Sequence, residues 1–221
     1  MTMDLAWLDE RLWFPDPRRA SREGFVAVGG DMSVERLLLA YKSGIFPWTD
    51  DPITWWSPEP RAIFELDQFH ISRSLKLFLK KDLYQITYDT AFEQVMQACA
   101  QVPRHEQTTW ISPYFIESYT AMYRAGWAHS VETWHEGKLV GGVYGVAIGG
   151  FFAGESMFHT APNASKVALV GLVKRLRERG FTLFDTQMTT PATIQMGATE
   201  IPRIEYLNRL SKAIQLPCRF D

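Results

Sequence analysis

Two carboxylates in this 221-residue chain occupy places where a carboxylate is expensive. In Phe181-Thr182-Leu183-Phe184-Asp185-Thr186-Gln187-Met188, an acid lies near the end of a run that reads as a short buried strand. Such an acid is costly unless it is hydrogen-bonded or used. Side chains two apart on a strand share a face, so Asp185 and Gln187 are expected to point the same way. A charged acceptor beside a neutral amide can orient a nucleophile or relay a proton. A turn capped by Asp185 accounts for the local pattern equally well. Glu155 repeats the anomaly as the only charge in Phe151-Phe152-Ala153-Gly154-Glu155-Ser156-Met157-Phe158, with Met157 read on its face. A lone buried glutamate is normally paired, raised in pKa, or awaiting a cationic ligand.

A third pattern is basic. Arg73, Lys76 and Lys80 follow i, i+3, i+7 spacing on a helix expected over 72–81, with Lys81 beside them and Leu75, Phe78 and Leu79 opposite. No acid interrupts that face before Asp82. A solvated surface is the default for such a face, and a phosphate backbone is the functional alternative. Lys174, Arg175, Arg177 and Arg179 crowd an expected helix C-terminus, where the dipole favours cations, and read as structural.

Other familiar sites are absent. Gly154-Glu155-Ser156-Met157-Phe158 departs from a nucleophile elbow at its last position, Phe158. Histidines 70, 105, 129, 135 and 159 have no short metal-ligand spacing, so no metal is expected. There is no P-loop and no GxGxxG. Cys99 reads as core.

The elements that must position these residues can be read from caps and periodicity. Residues 1–60 are rich in aromatics and proline, with one convincing helix capped by Ser33, apolar at Leu37, Leu38 and Tyr41, and stopped by Gly44. The tryptophans there are expected in proline-fixed loops, most of them filling a small domain's core. Beyond 60, Thr90-Ala91-Phe92-Glu93 reads as a capping box opening a helix to about Gln101. Ser112-Pro113 starts another helix, ended by Gly126. Ala128–His135, Lys138–Ile148 and residues 151–158 read as an antiparallel meander. A long helix over 163–179, a strand over 181–188 and helical segments near 191–196 and 203–214 follow. The expectation is an α+β fold, with a small domain at 1–60 and a larger one at 61–221.

Composition sets the frame: 46% hydrophobic, 22% charged, net charge −2 and two cysteines outside any CxxC. A disordered or rod-like chain is excluded, and no overall basic field points to nucleic acid. The first ten residues carry no signal-peptide pattern. The longest uncharged stretch, 139–154, is interrupted by glycines and shorter than the ~20 apolar residues of a spanning helix. A reduced, cytoplasmic protein with no membrane contact is expected, and a monomer is the simplest state.

Six ordered motifs carry a resemblance: Gly44-Ile45-Phe46-Pro47-Trp48, Trp55-Trp56-Ser57-Pro58-Glu59-Pro60-Arg61, Phe69-His70-Ile71-Ser72-Arg73-Ser74, Thr109-Trp110-Ile111, Gly154-Glu155-Ser156-Met157-Phe158 and Glu200-Ile201-Pro202-Arg203. Over nearly its whole length the chain resembles the bacterial leucyl/phenylalanyl-tRNA–protein transferases. The resemblance implies a larger domain with an acetyltransferase-like fold and a mainly antiparallel sheet. It implies an enzyme, without a cofactor, that moves leucine, phenylalanine or methionine from aminoacyl-tRNA to the N-terminal arginine or lysine of an acceptor protein, creating a degradation signal. Its partners would be Leu-tRNA, Phe-tRNA and such acceptors. By the same resemblance the catalytic residues fall on Asp185, Gln187 and Glu155, and the aromatics for the tRNA 3′ end on Trp48 and Trp110. The aminoacyl pocket falls on Val143, Phe152, Met157, Leu169, Leu172 and Phe184, and the grip on the tRNA body on Arg73, Lys76, Lys80 and Lys81. Strict alternation would set Phe152 on the face opposite Glu155, so its assignment requires a bulge, a twist or a different role for Phe152.

Two other functions compete with this one. A CoA-dependent N-acyltransferase is disfavoured by His159-Thr160-Ala161-Pro162-Asn163-Ala164-Ser165-Lys166, which lacks the glycine-rich phosphate cradle and contains a proline without an N–H. A non-catalytic tRNA-binding module would leave Glu155, Asp185 and Gln187 without a role.

Overall fold

The computed structural model describes residues 6–102 and 109–221; His105 lies outside them. In chain order the strands and helices are β1 (Trp7–Leu8), β2 (Phe25–Gly29), α1 (Val34–Lys42), β3 (Phe46–Asp50), β4 (Ile53–Trp56), β5 (Arg61–Phe64), α2 (Arg73–Leu79) and β6 (Gln85–Tyr88). Then come α3 (Phe92–Gln101), α4 (Pro113–Arg124), β7 (Ala128–His135), β8 (Lys138–Ile148), β9 (Phe151–His159), α5 (Ala164–Glu178), β10 (Leu183–Gln187), α6 (Pro191–Gln195), β11 (Ala198–Ile201) and α7 (Arg203–Ala213).

The strands form a four-stranded sheet, β1-β2-β4-β3, and a seven-stranded sheet, β11-β5-β10-β9-β8-β7-β6. Within the larger sheet β9 and β10 are parallel and the other pairings antiparallel. This is the α+β class with a mainly antiparallel sheet. The expected meander is β7-β8-β9. Glu136 and Gly137, both in the left-handed region (φ 50° and 74°), make the two-residue turn whose twist suits right-twisted strands. One face of the larger sheet shares a core with α3, α4, α7 and the N-terminal elements; α5 covers the other.

The expected caps at Ser33, Ser72 and Ser112 are present, each hydroxyl accepting from a backbone N–H three residues on. The capping box at Thr90 is not. The N-cap of α3 is Ala91: the Thr90 N–H, which Glu93 would accept in a capping box, goes to the fully buried Glu132 (3.4 Å), which also accepts from the Thr90 hydroxyl (2.9 Å), while Glu93 pairs with Arg124. The tryptophans expected in loops lie on strands: Trp48 on β3, Trp55 and Trp56 on β4. Trp55 fills the core as expected. The sequence pattern does not announce β1 to β4, within 1–60, nor β5, β6 and β11, since each is five residues or fewer. Arg175 and Arg177 are structural, donating to the carbonyls of Phe220 and Leu66.

Candidate active site

The parallel pairing of β9 with β10 runs from Leu183↔Phe151 to Asp185↔Ala153 and then stops. Past that point the strands carry a bulge each. On β9 the register passes from Tyr144↔Ser156 to Gly145↔Gly154, so Glu155 is the extra residue. On β10 it passes from Asp185↔Ile63 to Gln187↔Ala62, so Thr186 is the extra residue. A bulge re-aims side chains and ends regular pairing. Here two of them open a fork whose tips are Glu155 and Gln187.

The bulge on β10 corrects the expectation that Asp185 and Gln187 share a face by alternation. Gln187 takes a left-handed conformation (φ 56°), costly for a non-glycine residue unless its surroundings over-determine it. They do. Its N–H donates to Asp185 Oδ1 (2.8 Å), and its side-chain Nε2 donates to Glu155 Oε1 (2.8 Å). The cap-like bond and the site are therefore one arrangement.

Asp185 is fully buried and clamped. Arg61 Nε donates to Oδ1 (2.9 Å) and Nη2 to Oδ2 (2.6 Å), the bidentate geometry that suits a guanidinium and a carboxylate. The Tyr206 hydroxyl donates to Oδ2 (2.8 Å). Arg61 also donates to the Gly44 carbonyl (3.1 Å) and lies over the rings of Tyr206 and Phe46, at 4.3 and 4.9 Å. Gly44 has φ 76°, and a Cβ there would strike Leu207, so this carbonyl depends on glycine. Burial, the largest single influence, lowers the pKa of Arg61, but the charge and hydrogen bonds of Asp185, with Tyr206 and Glu155, together outweigh it and hold the guanidinium above its ordinary value. Sequence reasoning assigned no role to Arg61 or Tyr206. The signal for Arg61 was available: a charge opening the apolar run Arg61-Ala62-Ile63-Phe64 is the same anomaly as Asp185.

Glu155 is partly exposed where it lines a cavity of about 370 Å³. Burial nonetheless raises its carboxyl to about 7. Hydrogen bonding to the Tyr41 hydroxyl and the charge of Arg61 oppose the rise, while the Asp185 charge adds to it. Such a carboxylate gains when a cation arrives beside it.

Of the residues expected in the pocket, Val143, Met157, Leu169 and Phe184 line the cavity, together with Phe64. Phe152 and Leu172 do not. Both are buried behind this wall, Phe152 edge-on to Phe184 with ring centroids 5.6 Å apart. The bulge at Glu155 supplies the parity change that sends Phe152 and Met157 into the same core. Trp48 and Trp110 line the cavity too, with Phe46 and Pro47 beside them. Arg73, Lys76, Lys80 and Lys81 are exposed and form no ion pair with a described residue. The helix carrying them ends at Leu79, so Lys80 caps it and Lys81 lies beyond: the N–H groups of Lys81 and Asp82 bond only three residues back, to Phe78 and Leu79, and Asp82 turns left-handed (φ 49°).

The chain is similar to known proteins along most of its length. Residues 63–211 match the family model of leucyl/phenylalanyl-tRNA protein transferase, and residues 30–59 match that of its N-terminal domain. A protein named leucyl/phenylalanyl-tRNA–protein transferase from Syntrophotalea carbinolica is 50% identical over 214 residues, 96% of this chain and 93% of that one. One of the same name from Myxococcus xanthus is 49% identical over 209 residues, 93% of this chain and 89% of that one. Among solved structures, L-PGS from Bacillus licheniformis aligns at 20% identity with a TM-score of 0.44, covering 70% of this chain and 52% of that one. A ribosomal-protein-alanine N-acetyltransferase from Brucella melitensis aligns at 17% identity with a TM-score of 0.33, covering 45% and 75%.

Proposed function

The chain belongs to the leucyl/phenylalanyl-tRNA–protein transferase family, and from that premise we propose that the β9–β10 fork joins the aminoacyl group of a tRNA to the N-terminal arginine or lysine of an acceptor. The observation that carries this reading is the meeting of Glu155 and Gln187 at 2.8 Å beside an apolar cavity with two tryptophans in its lining. An apolar wall suits an uncharged side chain such as leucine, phenylalanine or methionine, and the tryptophans offer faces on which the terminal adenosine stacks. The cations of Arg73, Lys76, Lys80 and Lys81 offer counter-charges for the tRNA body.

The donor is already an activated ester, and an α-amine with pKa near ~8 is partly neutral at cell pH. The reaction calls for no cofactor and no covalent nucleophile. The work left to the protein is alignment of amine and carbonyl, and support for the charge of the tetrahedral intermediate. In this reading the Gln187 amide holds the attacking amine, and Glu155 pairs with the cationic side chain of the acceptor residue. Asp185, with every lone-pair direction toward a donor, organises Gln187 through its backbone N–H. The released proton goes to the departing ribose oxygen.

By the same reading residues 1–60 form a small module that carries Trp48 to the cavity, and residues 61–221 form the acetyltransferase-like catalytic domain. Among the described residues no helix is long and apolar enough to cross a membrane. A monomer working in the cytoplasm, where aminoacyl-tRNA is found, is the setting we propose. The test is to incubate the protein with leucyl-tRNA and a short peptide beginning with arginine, then read the peptide's mass. A gain of one leucyl residue on that peptide, and none on one beginning with alanine, is expected. Equal gain on both would refute the acceptor reading, and no gain on either would refute the transfer.

A further inference from the structure

Two tyrosines from distant parts of the chain converge under Glu155. Tyr41 lies on α1, where the sequence pattern made it simply part of an apolar face; Tyr119 lies on α4. Both are almost completely buried, at 1% and 0% exposure, and their hydroxyls are hydrogen-bonded to each other. The Tyr119 hydroxyl also donates to Glu155 Oε2 at 3.5 Å. The opposite carboxylate oxygen, Oε1, receives Gln187.

Counting protons shows what the pair does. Two hydroxyls carry two protons, and one is spent between them. The other has the Glu155 carboxylate as its acceptor. An isolated buried phenol costs free energy without a partner, so two of them meeting below one carboxylate is an arrangement that core packing alone disfavours. Phenylalanine would fill the same volume with no polar atom.

We infer that Tyr41 and Tyr119 are positioning residues for acceptor recognition: together they aim Glu155 into the cavity and favour its charged form, ready for the cation of the acceptor's first residue. This rests on the reading of Glu155 as the carboxylate that meets that cation. The groups facing Glu155 are Tyr41 from α1, Tyr119 from α4, Arg61 from β5, and Asp185 and Gln187 from β10, with Tyr206 of α7 behind them. Arg61 and Tyr206 are engaged with Asp185, and among the described residues Glu155 accepts hydrogen bonds from Gln187 and from the tyrosine pair through Tyr119. A hydroxyl donated to a carboxylate favours its charged form, so removing it moves the carboxyl's titration upward.

The experiment uses the full-length protein as wild type, Tyr41→Phe, Tyr119→Phe and Glu155→Gln, with an arginine-initiated peptide and leucyl-tRNA. Two quantities are followed from pH 5 to 9: kcat/KM for the peptide, and the carbon-13 carboxyl shift of labelled glutamate, with Glu155 assigned by its loss in Glu155→Gln. Each phenylalanine variant is expected to move the acid limb of kcat/KM and the Glu155 titration upward together, by about one pH unit. The KM for leucyl-tRNA should stay unchanged. Should one variant fail to fold, the other carries the test, since each breaks the hydroxyl pair. Limbs and titrations that stay in place in a folded variant would overturn the inference while leaving the role of Glu155 standing. An unchanged peptide KM in Glu155→Gln would instead overturn the reading on which the inference rests, and the inference with it.

Discussion

Asp185 receives four donors on two oxygens: Arg61 Nε and the Gln187 N–H on Oδ1, Arg61 Nη2 and the Tyr206 hydroxyl on Oδ2. Asp185→Asn leaves one oxygen for that work. The productive placement keeps the oxygen at Oδ1, where it still accepts from Arg61 Nε and Gln187. The amide NH2 then faces Arg61 Nη2, donor against donor, while Tyr206 rotates its hydroxyl to accept. The guanidinium, 1% exposed, loses its counter-charge. Breaking a buried pair by removing one partner costs about 3–5 kcal/mol. The surviving hydrogen bonds set the expectation at the lower end, about 3 kcal/mol, read by urea denaturation. If Asp185 organises Gln187, transfer by Asp185→Asn should survive at roughly a tenth of the wild-type rate, because the bond that fixes Gln187 remains. Asp185→Ala removes that bond, and with Gln187 adrift the loss should exceed about 10²-fold while leucyl-tRNA still binds. A folded, tRNA-binding Asp185→Asn with no transfer would refute the organising role and make Asp185 the proton acceptor. A stability loss under about 1 kcal/mol would refute the strength assigned to the pair.

Further expectations follow from the same geometry. Glu155 is raised from 4.5 to about 7, so the native state holds its proton more tightly than the unfolded chain does. Its stabilising contribution is full below 4.5 and lost as pH rises through 7, a change of about 3 kcal/mol that should vanish from the pH dependence of urea unfolding in Glu155→Gln. Trp110→Ala should weaken binding of the tRNA 3′ end by about 1–3 kcal/mol, measured with a short aminoacylated CCA fragment; unchanged affinity would remove Trp110 from that role. Replacing Lys80 and Lys81 with alanine should lower the salt slope of tRNA binding by about 1.4–1.8, and an unchanged slope would return this patch to ordinary surface.

Much of the fold is written locally. Serine caps, glycine stops and the alternation of β7, β8 and β9 are signals within a few residues, and they placed the helices and the meander. Asp185 and Glu155 were legible because a charge in an apolar run is costly wherever the chain goes. The fork was not, because a bulge is a property of two strands in register, and the partners of β10 lie at Arg61–Phe64 and Phe151–His159. Thr90-Ala91-Phe92-Glu93 reads as a capping box because the acceptor that displaces Glu93 from the Thr90 N–H, Glu132, is 42 residues away. Phe152 and Leu172 belong to the core behind the cavity, a difference of depth that apolar residues do not announce. Arg61 stands inside a motif, but its partner Asp185 comes into view only once β5 pairs with β10.

In the proposed function, Glu155 at the fork reads the positive charge of the acceptor's first residue. The direct measurement is kcat/KM for two peptides that differ only in beginning with arginine or with citrulline, which keeps the shape and removes the charge. The wild type should prefer arginine by a factor on the order of 10², as expected for a desolvated ion pair worth about 3 kcal/mol. In Glu155→Gln that preference should fall toward unity, with the KM for leucyl-tRNA unchanged. A variant that keeps the full preference would show that the charge is read elsewhere, and the account of the fork would be wrong.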